Sequence, residues 1–469
     1  MVSLRREYSI VYFVAGPHPR DLCLRGLCRS ALLAATVRLV NMLKQFFYAW
    51  ERRLASVSTD RVVRPFEWGL EWIPQNGRGP GAAPSEILGD WVSHVMGDTN
   101  AFFTPPPTDQ YELTASPNGD RLLTFPSAFT TPQAENNTVY CRYFPARGPQ
   151  APAARASSRG PQRSSRVGVA AASLLSKRSG SPPPTAAVSR IRAQQRPQAL
   201  SGEGERAAAL SQERWGWGPS AVKEVGPREH KKKPRAAVLV LPQWNAGPDG
   251  HVGLCRLLAW SGLSALRLSL PYHDRRMPPE LRRADYIVSS NVARTVQVCR
   301  QAVLDARRAI AWLAAQGYDR IGILGTSLGS CLALLTTAHE PLVRAEALNH
   351  ISPHFADVVW RGISTEHVRD GLDGHIELDV LRTLWKPISP RWYLERLRDR
   401  RTLLVYARYD LTFPVDLSED LVREFRERAI PHEVAVLRCG HYSTGKSPFK
   451  FVDGWVLTRF LKRALEGSA

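Results

Sequence analysis

Three residues, Ser327, Asp410 and His441, have the types and the chain order that acyl transfer through a serine requires. A serine hydroxyl is a poor nucleophile at its own pKa. It needs a base within hydrogen-bond reach, and the base needs an acid to orient it. Ser327 sits in Gly325-Thr326-Ser327-Leu328-Gly329, a G-x-S-x-G pentapeptide. Ile321 to Leu324 before it is an apolar run long enough for a buried strand, and Ser330 to Thr337 after it suits a helix. Strand, sharp turn and helix form the setting in which this pentapeptide exposes its serine, the nucleophile elbow. The glycines are expected where a Cβ would clash with the neighbouring strand and helix. The helix start aims free N–H groups at the serine, where a developing oxyanion is stabilised.

Base and acid are expected on loops at the C-terminal ends of other strands. Asp410 stands just past the apolar run Thr402 to Ala407. Its rival Asp416 follows Pro414 and is expected to open a helix as an N-terminal acid. His441 follows the run His432 to Leu437 in a Gly-His pair, whereas His432 lies at the wrong end of that run. The order Ser327, Asp410, His441 is the one the elbow motif carries. The oxyanion hole should pair the N–H of Leu328 with one from the loop after Ala236 to Leu241. Gln243 and Trp244 are both placed to supply it, with Trp244 preferred on position.

The elements that must hold these groups are readable in turn. Strands are expected at Tyr111–Ala115, Arg121–Phe125, Thr138–Phe144, Ala236–Leu241, Ala265–Leu270, Ile321–Leu324, Ala345–Ile351, Thr402–Ala407 and His432–Leu437. Helices are expected at His251–Trp260, Asn291–Gln316, Val415–Arg428 and Gly454–Leu465. Fully apolar strands alternating with helices mean a mostly parallel sheet covered on both faces. Further upstream, a helix should open at Met42 and bury a stripe of Phe46, Phe47, Trp50 and Leu54. Ser116 to Asp120 reads as a hairpin turn.

The 469-residue chain is formally +20. Residues 1–46 carry seven Lys/Arg against two Asp/Glu, and residues 151–235 carry seventeen against five. The rest is nearly neutral, so the charge is confined to two segments and gives no specific nucleic-acid signature. Residues 147–235 are Pro-, Ser- and Arg-rich with few large apolar side chains, the composition of a disordered basic insertion. Residues 1–41 read either as a non-essential N-terminal extension or, from a short apolar run and an Arg-rich, acid-poor character, as a targeting segment, and residues 42–146 supply the first helices and strands. Residues 236–469 form the main domain, in which 352–400 reads as short helices and loops rich in Pro, Trp and His. Seven scattered cysteines without a C-x-x-C pair point to a reducing, cytoplasmic setting and no structural zinc. His350, His354, His367 and His375 lack zinc-site spacing and read as structural. No apolar run reaches a membrane span, and no dinucleotide or phosphate-loop motif implies a cofactor. The loop Tyr272-His273-Asp274-Arg275-Arg276 reads either as an anion-binding group or as a salt-bridge cluster.

The segments LPQWNA, LSLPYH, GTSLGS, ARYDLTFP and CGHYSTG together resemble those of the α/β-hydrolase superfamily, in its bacterial esterase and dienelactone-hydrolase neighbourhood. The resemblance covers about half the chain and the FEWGLEWIP region. It implies an eight-stranded, mostly parallel sheet with its antiparallel first strands at residues 111–145, a small cap after the sixth strand at residues 352–400, and a cofactor-independent serine hydrolase acting on a small-molecule acyl substrate. Ser327, His441 and Asp410 would then be nucleophile, base and acid. An acyltransferase and a non-catalytic binding protein on the same fold are the alternatives. The Pro-Gln-Trp loop departs from the His-Gly usual at the oxyanion position, and the basic insertion is a second departure.

Overall fold

A computed structural model describes residues 25–74, 81–115, 120–146 and 235–467. The earliest residues, most of the expected turn at 116–120, and the basic insertion up to 234 lie outside the described residues. In chain order the elements are α1 (Arg25–Ala55), α2 (Pro84–Gly97), α3 (Thr99–Phe102), β1 (Glu112–Ala115), β2 (Arg121–Pro126), β3 (Thr138–Phe144) and β4 (Ala236–Leu241). Then follow α4 (Val252–Trp260), β5 (Ser264–Leu268), α5 (Val292–Ala315), β6 (Arg320–Thr326), α6 (Leu328–His339) and β7 (Val343–Asn349). The chain continues through α7 (Phe355–Arg361), α8 (Glu366–Leu372), α9 (Leu378–Leu384), β8 (Arg401–Ala407), α10 (Val415–Glu427), β9 (His432–Leu437) and α11 (Phe449–Glu466).

The strands build one sheet in the order β1-β2-β3-β5-β4-β6-β7-β8-β9. From β5 to β9 every pairing is parallel, and β1, β2 and β3 add antiparallel pairings at one end. Among the described residues the sheet has nine strands, where the family resemblance implies eight. The ninth is β1, four exposed residues paired only with β2. Its Leu113 points to solvent, so it extends the sheet without adding core.

The central parallel strands β4 and β6 are largely apolar on both faces because helices cover both. Every residue of β4 is buried, and so are Ile321, Ile323 and Leu324 of β6. Each such aliphatic side chain stabilises the fold by about 1.5–3 kcal/mol relative to exposure. α5 is buried along most of its 24 residues, from Val292 to Leu313. Asn291 starts it by accepting the N–H of Arg294 on its side chain (2.9 Å).

The order matters for function. After β5 the chain returns across β4 to lay down β6 on its other side. Loops leaving the C-terminal ends of β4 and β6 therefore diverge and open a crevice, where α/β sheets bind their ligands. The pair Leu241↔Gly325 brings the loop after β4 alongside the pentapeptide.

The closing helix α11 starts five residues before the expected Gly454, and two expectations about the first helix need correction. α1 begins at Arg25, not Met42. Residues 30–41 hold mostly Ala, Leu and Val without Gly or Pro, so nothing in them stops a helix. The aromatic stripe is not uniformly core: Phe46 is exposed, Phe47, Trp50 and Leu54 are half-buried, and the fully buried residue at its centre is Glu51. Among the described residues, no helix is long and apolar enough to cross a membrane.

Candidate functional site

Ser327 stands between β6 and α6 at φ 55° and ψ −123°. This is a left-handed conformation that non-glycine residues rarely adopt, and holding it costs of the order of 1–3 kcal/mol. The surroundings sustain it. The N–H of Ser327 donates to the Asn349 carbonyl at the end of β7 (2.8 Å). Its own carbonyl accepts the Ser330 N–H (2.8 Å) and hydroxyl (2.6 Å). Both glycines of the pentapeptide are sterically required. A Cβ on Gly325 would lie 2.1 Å from the Gly329 carbonyl oxygen. A Cβ on Gly329 would lie 2.3 Å from the Leu241 oxygen and 2.5 Å from that of Pro242. The second contact shows that the loop after β4 presses directly on the turn.

His441 Nε2 lies 3.1 Å from Ser327 Oγ, and its Nδ1 lies 2.9 Å from Asp410 Oδ2. The three residues that the sequence singles out thus form one continuous hydrogen-bond line. Asp410 is held at the end of β8 by its other oxygen, which accepts the N–H groups of Thr412 (2.8 Å) and Phe413 (2.7 Å). The loops after β8 and β9 are joined by backbone bonds from Arg408 to Leu437 and from Tyr409 to Cys439, each 2.9 Å. These bonds fix Asp410 against the histidine loop.

Asp416 is elsewhere. It lies in the first turn of α10, as expected, but its carboxylate faces outward and pairs with Arg361 (2.8 and 2.9 Å) rather than with backbone N–H groups.

A fourth residue joins the line. His350, directly after β7, donates Nδ1–H to the same Asp410 oxygen (2.9 Å). It is buried, has φ 57°, and its ring centroid is 4.6 Å from that of His441. With the carboxylate as acceptor, both imidazoles carry their proton on Nδ1. The Nε2 lone pair of His441 then faces the Ser327 hydroxyl. The Nε2 of His350 is buried and has no hydrogen-bond partner among the described residues. Sequence reasoning sets His350 aside because a lone histidine after a strand carries no spacing signal. Its position at a β-strand C-terminal end, like those of Asp410 and His441, was the available hint.

The charges follow from this packing. Burial alone would push the Asp410 carboxyl up, but the imidazoles of His441 and His350 outweigh it and hold the group well below the usual carboxylate range. Burial opposes protonation of His441, yet the Asp410 carboxylate and hydrogen bond, with help from Glu51, raise its pKa above the ordinary imidazole value. His350 goes the other way, lowered chiefly by burial and by its neighbour His441.

The expected oxyanion residues border the same space. Leu328 opens α6 with its N–H at the free helix start. The Trp244 indole is fixed away from the backbone: Nε1–H donates to the Ala284 carbonyl (2.9 Å), and the ring stacks on His367 at 5.7 Å. The Arg283 guanidinium lies 5.3 Å over the same ring. His273 accepts the N–H of the next residue, Asn245, on Nε2 (2.9 Å). These contacts set the course of the backbone that carries Gln243 and Trp244.

His273 belongs to the loop that had two readings, and the structure supports the salt-bridge cluster. Asp274 pairs with Arg267 (3.0 Å) and accepts the Ser269 hydroxyl. Arg276 pairs with Asp305 (2.8 Å), both fully buried. No residue from 271 to 276 lines the cavity at Ser327.

That cavity measures about 1580 Å³ and is mainly apolar. Trp244, Leu328, His350, Phe355, Val359 and His441 contribute to its walls, so the 352–400 stretch supplies part of it. His350, Asp410 and His441 are the one group, among the described residues, whose metal-ligating atoms come within 4.8 Å of one another. Their hydrogen bonds to each other already pair the nitrogens and oxygen that would face an ion. The five cysteines with described side chains are buried thiols without disulfide partners.

No family model matches the sequence, and no curated protein does. Solved structures do resemble the fold. An acetyl xylan esterase from Paenibacillus sp. R4 aligns at 13% identity and TM-score 0.46 over 84% of this chain and 100% of its own. Acetyl xylan esterase 1 from Thermoanaerobacterium sp. JW/SL YS485 aligns at 11% and 0.44 over 83% and 99%. An acylaminoacyl peptidase from Pyrococcus horikoshii aligns at 15% and 0.41 over 51% of this chain. This chain spans only 39% of that peptidase's length. At such identities and TM-scores the likeness assigns neither a family nor a role. The strand order itself shows an α/β fold, a mostly parallel sheet with helices around it.

Proposed function

We propose that the protein is a cofactor-independent serine hydrolase that cleaves an ester or related acyl bond of a small molecule. The observation that carries the reading is the unbroken line Ser327 Oγ–His441–Asp410, with the serine held in a strained turn at the sheet's crossover point. A strained serine turn alone could be a packing accident. A strained serine aligned with a histidine whose far nitrogen meets a buried carboxylate has the parts that nucleophilic catalysis needs.

In this mechanism Ser327 Oγ attacks the acyl carbon while its proton passes to His441 Nε2. The imidazolium that forms is stabilised by Asp410, which stays ionised. The N–H groups of Leu328 and Trp244 bind the oxyanion. The tetrahedral species expels the alcohol, which takes the proton from His441. Water then repeats the sequence on the acyl-enzyme, with His441 as base, and releases the acid. Each proton taken by His441 is returned, so the enzyme is regenerated unchanged.

The test is pre-steady-state hydrolysis of p-nitrophenyl acetate and butyrate. The expected result is turnover with a burst of p-nitrophenol of no more than one equivalent where deacylation is slower than acylation. Absence of turnover across a range of acyl esters, amides and thioesters contradicts the hydrolase reading. Turnover that appears only when an alcohol or amine acceptor is added favours acyl transfer. The rate should also fall below the pKa of His441, because only the neutral imidazole can take the serine proton. Since that pKa is raised, the acid limb of kcat/KM should lie above the pH expected for an ordinary imidazole.

A further inference from the structure

We propose that Glu51 of α1 is a positioning residue for His441, so that the N-terminal helix completes the site. The proposal rests on the serine-hydrolase reading above. Glu51 is fully buried. Its two carboxylate oxygens accept the backbone N–H groups of the two residues after the histidine, Tyr442 (2.8 Å) and Ser443 (2.9 Å). A buried carboxylate is stable only when its oxygens are satisfied, and here both are met by the histidine loop itself. The glycine before the histidine is explained by the same contact. A Cβ on Gly440 would lie 2.3 Å from the Glu51 side chain. The Gly-His pair is therefore shaped by α1.

The helix reaches the acid's loop as well. The Phe47 ring, one turn earlier on the same face, stacks on Tyr409 at 4.6 Å and 6° between planes. Tyr409 directly precedes Asp410. Phe47 and Trp50 also meet Phe449 at the start of α11 (6.1 and 6.4 Å). Where α1 ends, Arg61 donates to the Ala55 carbonyl (3.0 Å) and to the Tyr442 hydroxyl (3.2 Å). One helix face therefore grips the loops of both His441 and Asp410. The Glu51 charge also favours the imidazolium that His441 must become.

Glu51→Gln tests this. It preserves size, removes the charge, and leaves one carbonyl oxygen for two N–H donors. Two quantities are read: the kcat/KM–pH profile for p-nitrophenyl acetate, and the His441 imidazole pKa by NMR. The plateau of kcat/KM should drop by about tenfold or more, as when a base is displaced from its working geometry. The acid limb and the NMR pKa should both move to lower pH, because a negative charge that favours the imidazolium is gone. Glu51→Asp restores the charge at a shorter reach. It should return the limb toward its wild-type position while the plateau stays low; if Glu51→Gln does not fold, that low plateau tests the positioning role alone, and a wild-type plateau in Glu51→Asp overturns it. A lowered melting temperature with wild-type plateau, limb and NMR pKa makes Glu51 purely structural and overturns the proposal. If the wild-type protein has no turnover at all, the hydrolase reading falls and this role falls with it.

Discussion

Ser327→Ala is expected to abolish ester hydrolysis while leaving the fold intact. The lost oxygen is the one that forms the acyl bond, and no other described hydroxyl shares its hydrogen bond to His441 Nε2. Knocking out a nucleophile of this kind lowers kcat by about 10⁴-fold or more, the remainder coming from binding and oxyanion stabilisation. The structural cost should be small. Ser327 is held through its backbone, by the bonds to Asn349 and Ser330, and among the described residues its side chain bonds only to His441, outside the turn. Alanine at φ 55° is strained much as serine is. Purified Ser327→Ala should therefore melt within a few degrees of wild type. A rate above about a tenth of wild type would remove Ser327 from the mechanism, since true nucleophile losses are far larger.

Asp410→Asn is expected to be nearly as damaging, through the histidines. Asp410 accepts Nδ1–H from both His441 and His350 on one oxygen, and two backbone N–H groups on the other. An asparagine that keeps its carbonyl oxygen on the backbone donors turns its NH₂ toward the two imidazoles. Both rings must then present an Nδ1 lone pair and carry the proton on Nε2. His441 would face the Ser327 hydroxyl with a donor instead of an acceptor, and could not take its proton. The equivalent change in serine proteases lowers kcat by about 10⁴-fold for this reason. Asp416→Asn is the control. Its exposed pair with Arg361 contributes about 0–1 kcal/mol, so turnover should be retained. Kinetics on the two variants decide between the acids. A slow Asp416→Asn beside a normal Asp410→Asn would require the line to be redrawn.

Much of this arrangement could be read from the chain because it rests on local signals. β4 and β9 fall where their apolar runs predict, and β6, β8 and α5 differ by one or two residues at their ends. An apolar strand followed by a short polar loop then marks Asp410 and His441 as residues at the C-terminal edge of the sheet. What could not be read depends on contacts made far along the chain. His350 reaches Asp410 across 60 residues, and Glu51 reaches Ser443 across 392. Glu51 looks like a charged interruption in an aromatic helix until the histidine loop is packed on it. The same holds for His273 and Asp274, whose types suggest a ligand site and whose actual partners are Asn245 and Arg267. A polar side chain does not announce whether a ligand or the protein itself will satisfy it. The oxyanion donors are legible only by position, because a backbone N–H leaves no mark on the side chain above it.

The central claim, that Ser327 is an activated nucleophile, is tested most directly by covalent capture. The full-length protein is treated with a fluorophosphonate probe, digested, and the modified peptide located by mass spectrometry. The expected result is one phosphonyl adduct per chain on the Ser327 hydroxyl. Labelling should be lost in Ser327→Ala and strongly slowed in Asp410→Asn. A folded wild-type protein that takes up no probe, or an adduct on a residue other than Ser327, contradicts the account.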